Sequence, residues 1–325
     1  MNNWKWLISL VAVLGLLGAC SDSDTANDQD NNTEQASEET DVQGEAFPVT
    51  VKDATGEEIT IEEQPEAIVS MIPSNTEIAY ALGLDEAIVG ASDYDNYPEE
   101  VNDVEKIGGL EFNVEKIISL QPDLVLAHDS NANQDAGLQQ LKDAGIKVVM
   151  IENATDFNQV YETIGMIGKV TGKAEEAEQI VTDMQEDFAE IEEKAASIEE
   201  GDRKKVMVDV SGLPEVYVAG NNTFMQEMLD LIQADNVAKD QEGFVMLSEE
   251  EIVSRNPETV VLTYGEFVED PIAQWSSHGG FSEVEAVKNE DLHVVPSDPV
   301  NRSGPRLVEG TQELAKAIYP DIFGE

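Results

Sequence analysis

Two stretches of the chain carry the same order of apolar and polar positions. EKIISLQPDLVLAH (115–128) reads as a short amphipathic helix, then Gln-Pro, then an apolar strand. EEIVSRNPETVVLTY (250–264) repeats that order with Asn-Pro. Proline cannot continue the helical hydrogen-bond ladder, so each helix ends before it. The continuous apolar runs Leu124–Ala127 and Val260–Leu262 suit strands buried on both faces, as in a parallel sheet. The two units lie too far apart for a solenoid repeat. They predict an α/β fold with two lobes.

The same reading extends along each lobe. In the first, Ala67–Ile72, Ala87–Ala91, Leu124–Ala127 and Lys147–Ile151 are predicted strands, with LQQLKDAG (138–145) as a helix. Ser74 and Glu77 have the Ser-x-x-Glu spacing of a capping box, predicting a helix through Leu82 that stops at Gly83. In the second lobe, Lys205–Val210, Val260–Leu262 and Leu292–Val295 are strands, with helices near Thr223–Ile232 and to about Ile318. Between the lobes, Ala177, Ile180, Val181, Met184, Phe188, Ile191, Ala195 and Ile198 recur at helical spacing, and no glycine or proline interrupts 173–200. The expected architecture is two Rossmann-like lobes with parallel central sheets, 47–170 and 202–325, joined by one long rigid α-helix, 171–201. A ligand cleft lies between them. A stiff connection permits only small closure.

The N-terminus changes the picture. Lys5 precedes an apolar run from Leu7 to Ala19, the layout of a secretory signal over 1–19. The LGAC ending resembles the lipobox of bacterial lipoproteins, which implies cleavage before Cys20 and lipidation of its thiol. Cys20 is the single cysteine, so no internal disulfide competes for it. Residues 21–46 are acidic and nearly free of apolar side chains, so 20–46 is expected to be a disordered tether. Such a tether would hold the protein on the outer face of a membrane. The chain has 18 Lys+Arg against 68 Asp+Glu, a net charge of −50, which excludes nucleic acid as a partner.

Four segments carry a family resemblance: PSNTEIAYALG (73–83), GASDYDNYP (90–98), LQPDLVLAH (120–128) and NRSGPRLVEG (301–310). From about residue 47 onward the chain resembles the substrate-binding proteins of ABC importers for cobalamin, ferric siderophores and haem, and most of all the cobalamin-binding members. The resemblance implies a monomeric carrier without catalytic residues or resident cofactor. It would pass a small molecule to a permease dimer driven by separate ATPase subunits. It matches Tyr94 to a corrin-contacting tyrosine, Tyr217 and Phe244 to aromatics across the cleft, and Asp298 and Arg302 to polar positions of the site. Glu115 and Glu250, which open the repeated units, match glutamates that dock onto permease arginines. The family often has tryptophan where Phe244, and Gly109 or Leu110, stand here.

The residues themselves point the same way. Ligands in open α/β sheets sit beyond the C-terminal ends of strands. Tyr94 and Tyr97 follow one such end, and tyrosines offer flat apolar faces with polar tips; Tyr97, beside Pro98, alternatively packs under its own loop. His128 ends another strand, as a cleft residue or a satisfied structural one. Arg302, with Asp298 and Asn301, is expected to contact the ligand. Arg306 falls in the first turn of the last helix, where a positive charge opposes the dipole, so it needs a local acidic partner. A bare-metal carrier is disfavoured because His128, His278 and His293 lack ligand spacing. An enzyme is disfavoured because there is neither a GxSxG elbow nor a P-loop. The acidic excess itself suggests adaptation to high salt, where self-repulsion is screened. Equilibrium unfolding across a salt series is expected to show stability rising with salt; flat or falling stability removes that reading.

Overall fold

The computed structural model describes residues 47–324. The expected signal segment, Cys20 and the tether lie outside the described residues. Strands β1 (Val49–Lys52) and β2 (Glu58–Ile61) pair as an antiparallel hairpin. Then follow β3 (Ile68–Ser70), α1 (Pro73–Ala81), β4 (Ile88–Ala91), β5 (Glu105–Lys106), α2 (Val114–Leu120), β6 (Leu124–His128), α3 (Asp135–Asp143) and β7 (Lys147–Ile151). These strands form one parallel sheet in the order β5-β4-β3-β6-β7. Helices α4 (Phe157–Thr171) and α5 (Ala174–Ala195) lead to the second sheet.

That sheet is built from β8 (Lys205–Asp209), β9 (Val216–Ala219), β10 (Asp235–Asn236), β11 (Phe244–Leu247), β12 (Thr259–Leu262) and β13 (Leu292–Val294). Its order is β11-β9-β8-β12-β13, with β10 beside β8. Strands β8, β12 and β13 are parallel, as expected, and the short β10, which was not expected, also pairs parallel to β8. The edge ribbon β9–β11 runs antiparallel and was not legible in the sequence. Helices α6 (Phe224–Leu231), α7 (Glu249–Arg255), α8 (Pro271–Ser277), α9 (Glu285–Lys288), α10 (Ser297–Asn301), α11 (Leu307–Ile318) and α12 (Pro320–Phe323) complete the fold. Among the described residues, no helix is long and apolar enough to cross a membrane.

The repeated units are α2–β6 and α7–β12. Each helix is capped by a side chain at its start, Asn113 or Ser248. Each ends on a left-handed residue before the proline, Gln121 (φ 53°) or Asn256 (φ 46°). Successive strand residues point to opposite faces. Leu124 and Leu126 therefore enter one apolar cluster and Val125 and Ala127 another; Val206 and Val208 are likewise separated from Met207.

The inner faces of the two sheets share one core. A single buried cluster runs from Ile68 and Leu124 through Ile164, Phe188 and Ile191 to Val206, Val208 and Leu314. Helix α5 lies along this seam. It packs on α4 so closely that a Cβ at Gly168 would sit 2.4 Å from that of Ala177. The rings of Phe157 and Phe188 stack 4.3 Å apart. Glu227 of α6 accepts the Phe157 N–H at 2.7 Å, tying the start of α4 to the second half. The stiffness expected of the connecting helix thus comes from a continuous core as much as from the helix itself.

The expected capping box does not form. Pro73 occupies the first turn, the N-cap is Ile72, and no side chain caps the helix. Glu77 instead turns inward and is 3% exposed. Arg302 Nη1 donates to its Oε1 at 2.7 Å. Arg306 grips both oxygens, Nε to Oε2 at 2.8 Å and Nη2 to Oε1 at 2.7 Å. Asp298 closes the group, 2.9 Å from Arg302 Nη2 and 3.8 Å from Arg306 Nη2. Arg306 therefore has acidic partners as expected: the local Asp298 at 3.8 Å and, in closer contact, Glu77, which lies 229 positions away in the other half of the molecule. Removing one side of a buried ion pair leaves uncompensated charge and costs about 3–5 kcal/mol. Glu77→Ala is expected to lose stability on that scale in urea unfolding, whereas Lys288→Ala, which breaks an exposed pair, should lose about 0–1 kcal/mol. Equal losses would show that the buried group does not hold the halves together.

Candidate functional site

A cleft of about 460 Å³ opens between the two sheets. The topology places it, because the parallel strands of the first sheet end there: Ile72–Ser74 after β3, His128 at the end of β6, and Asn153–Thr155 after β7. From the other side come Asn222–Phe224, Gly243, Phe244 and Asn301–Ser303. Among the described residues, no carboxylate lines the cleft. The described residues give it amides, hydroxyls, one imidazole and one charged group, Arg302, already paired with Glu77 and Asp298.

Phe244 is an exposed aromatic on the cleft wall. Along β11 the alternation places Met246 on the same face, and Met246 stands opposite Tyr217 of β9. All three are exposed, so an apolar face continues outward from the cleft. Tyr217 lies on this extension and not in the 460 Å³ hollow. Met246 was missed by sequence reasoning, although the alternation within FVML carried the signal. Behind the ribbon, the Asp209 carboxylate accepts from the N–H groups of Ser211 and Gly212 at 3.1 and 3.2 Å and from Tyr264 OH at 2.9 Å. Burial pushes this carboxyl up from the usual range. Ser211 Oγ in turn accepts the Tyr217 N–H at 2.8 Å, which fixes the strand that displays Tyr217.

Tyr94, expected in the cleft, is 57% exposed and does not line the 460 Å³ hollow. Its loop is shaped by Ser92 Oγ, which donates to Asp95 Oδ2 at 2.5 Å and accepts the Tyr94 N–H at 3.3 Å. Burial pushes the Asp95 carboxyl up, against the hydrogen bond from Ser92. The Tyr94 ring lies against Gly109, where a Cβ would come within 2.7–2.9 Å of ring atoms and the hydroxyl oxygen. Arg302 Nη2 reaches Tyr94 O at 3.4 Å, so the Tyr94 and Arg302 loops meet across the halves as the two-lobe reading requires.

Several expected site residues fall elsewhere. Tyr97 does not line the cleft: the Arg306 guanidinium stacks 3.7 Å above its ring, and Tyr97 borders a second hollow with Tyr80 and Glu77. The ion-pair group stands between the two hollows, with Arg302 on one and Arg306 on the other. Asp298 does not line the cleft either, its carboxylate being engaged by the two arginines. Asn301 does, but its Nδ2 donates inward to Thr263 Oγ1 at 3.0 Å and Ser297 Oγ at 3.1 Å. His128 lines the cleft, and burial lowers its pKa. Glu115 and Glu250 are exposed in the first turns of α2 and α7. Among the described residues, no cluster of His, Cys, Asp and Glu is arranged to hold a metal ion.

The chain is similar to proteins of one kind. Residues 68–299 match the family described as periplasmic binding protein. An ABC transporter substrate-binding lipoprotein of Bacillus subtilis (strain 168), YvrC, is 44% identical over 98% of both chains. A cobalamin-binding protein of Halobacterium salinarum is 29% identical over 84% of this chain and 75% of its own length. Among solved structures, a possible iron-binding (periplasmic solute-binding) protein from Staphylococcus epidermidis superposes with a TM-score of 0.71 at 36% identity, covering 79% of this chain and all of that one. With two sheets facing one cleft, and with similarity of this extent, the chain belongs to the periplasmic binding protein family, the non-enzymatic solute-capturing components of ABC importers.

Proposed function

We propose that this protein captures cobalamin outside the cytoplasmic membrane and delivers it to an ABC permease. The observation that carries this reading is the chemistry of the cleft wall. Neutral amides and hydroxyls surround the space, and the one cation among the described lining residues, Arg302, is committed to Glu77 and Asp298. Cobalamin presents a flat macrocycle rimmed by uncharged carboxamides. Those groups can exchange hydrogen bonds with asparagine, serine and threonine, while Tyr94 and Phe244 offer apolar faces to the ring. An anionic ligand, such as haem with its propionates or a catecholate chelate, would meet no uncommitted positive charge and a protein of net charge −50. The Halobacterium relative supports the same ligand. A second reading, an uncharged ferric chelate, is favoured by the likeness to the Staphylococcus protein.

Cys20 would supply the membrane anchor through its lipid, with the chain monomeric at the outer face. Glu115 and Glu250 hold equivalent places on the repeated units, at exposed helix starts on the two halves. They would meet the permease dimer with one carboxylate on each subunit.

Titration followed by absorption is expected to show cyanocobalamin binding at one per chain, with haemin binding far more weakly. Phe244→Ala and Tyr94→Ala should each weaken cyanocobalamin binding about tenfold. Tight binding of haemin or a ferric chelate without cyanocobalamin binding would transfer the assignment to iron. Charge reversal at both Glu115 and Glu250 is expected to abolish cellular uptake while leaving ligand affinity intact; unimpaired transport would defeat the docking assignment.

A further inference from the structure

His128 lines the cleft although its residue is only 5% exposed. One edge of its ring is fixed by the main chain. The backbone N–H of Ser130 donates to Nδ1 at 3.1 Å, and Ser130 Oγ lies 3.0 Å from the same atom. A backbone N–H can only donate, so Nδ1 holds its lone pair. The Asn131 side chain accepts the His128 N–H at 3.0 Å and closes a reciprocal cap on the turn Asp129–Gln134, which locks the residue in place. Burial lowers the ring's pKa, with Asp129 opposing, so at neutral pH the ring is uncharged and its one proton resides on Nε2. Among the described residues, Nε2 has no hydrogen-bond partner. Nε2 is not sealed off: it opens to the cleft, where an acceptor on the ligand can replace water.

Metal-binding histidines show the opposite arrangement. There the second ring nitrogen carries the proton and donates to a carboxylate or carbonyl. For His128 Nε2 to bind a metal, the proton would have to move to Nδ1 and face the Ser130 N–H. We infer that His128 presents a fixed Nε2–H donor to the cleft and holds the ligand through a carbonyl or amide oxygen, not through a metal. The inference rests on the cleft being the capture site and narrows its ligand to one offering an uncharged oxygen acceptor there.

The test has one readout that needs no ligand. Nitrogen-15 NMR of the full chain, with the His128 signals assigned by their loss in His128→Gln, is expected to show a protonated Nε2 and a bare Nδ1 near pH 7. A protonated Nδ1 would overturn the inference. In cyanocobalamin titrations, His128→Leu should weaken binding about tenfold, and His128→Gln, which restores an N–H donor, should recover most of the loss. Unchanged affinity in His128→Leu would overturn the inference. If the wild type takes no cyanocobalamin, the ligand assignment fails, and haemin spectra then decide the present point. Identical spectra in wild type and His128→Leu support the donor role, whereas histidine-ligated bands present only in the wild type refute it.

Discussion

Glu77 is a carboxylate withdrawn from water between two guanidinium groups, and the geometry of the cleft depends on it. It belongs to the first helix, while Arg302 and Arg306 belong to the last elements of the chain. With Asp298 the group contains two acids and two bases, so its net charge is zero. A buried pair of this kind is poor evidence for gain over an apolar contact, but its rupture is expensive. Its consequence is positional. It sets the loop of Tyr94 beside that of Arg302, separates the cleft from the hollow bordered by Tyr97, and removes the free cation that the cleft would otherwise offer. The shared core behind α5 acts in the same sense, so the two sheets meet the ligand as one body.

The parts of the fold that were legible obey local rules. Leu124–Ala127, Lys147–Ile151 and Val260–Leu262 are apolar throughout because both of their faces are covered. The α5 stripe has the helical period because one side of that helix faces the core. Helix α4 escaped notice because Gly165 and Gly168 weaken its pattern, although the second glycine is needed for its contact with α5. The β9–β11 ribbon escaped notice because α6 and β10 intervene between its strands. The misreading of Glu77 is instructive. Ser-x-x-Glu matches a capping box, but Pro73 starts the helix early, and the partners of the glutamate are more than two hundred residues away. No local pattern encodes a contact of that length.

The site shows the same division. The end of a parallel strand is visible in one sequence, and His128 lines the cleft; Tyr94 lies outside that lining, on a loop beside Arg302. Exposure of Tyr217 and Phe244 follows from alternation, yet their common face with Met246 requires knowing the pairing of β9 with β11. The neutrality of the cleft could not be foreseen in a chain so rich in acids. Its carboxylates are spent on the outer surface, as along α5, and on structural roles such as Asp209, while the cleft wall keeps to amides and hydroxyls. Net charge governs solubility and long-range attraction, and the wall chemistry governs what is held.

The central claim is that the neutral wall selects an uncharged, carboxamide-bearing ligand. Native mass spectrometry of the full-length protein, purified gently from the cells that make it, tests this most directly by weighing what it retains. The account predicts one corrinoid per chain. Haem or an anionic ferric chelate retained at that stoichiometry would contradict it.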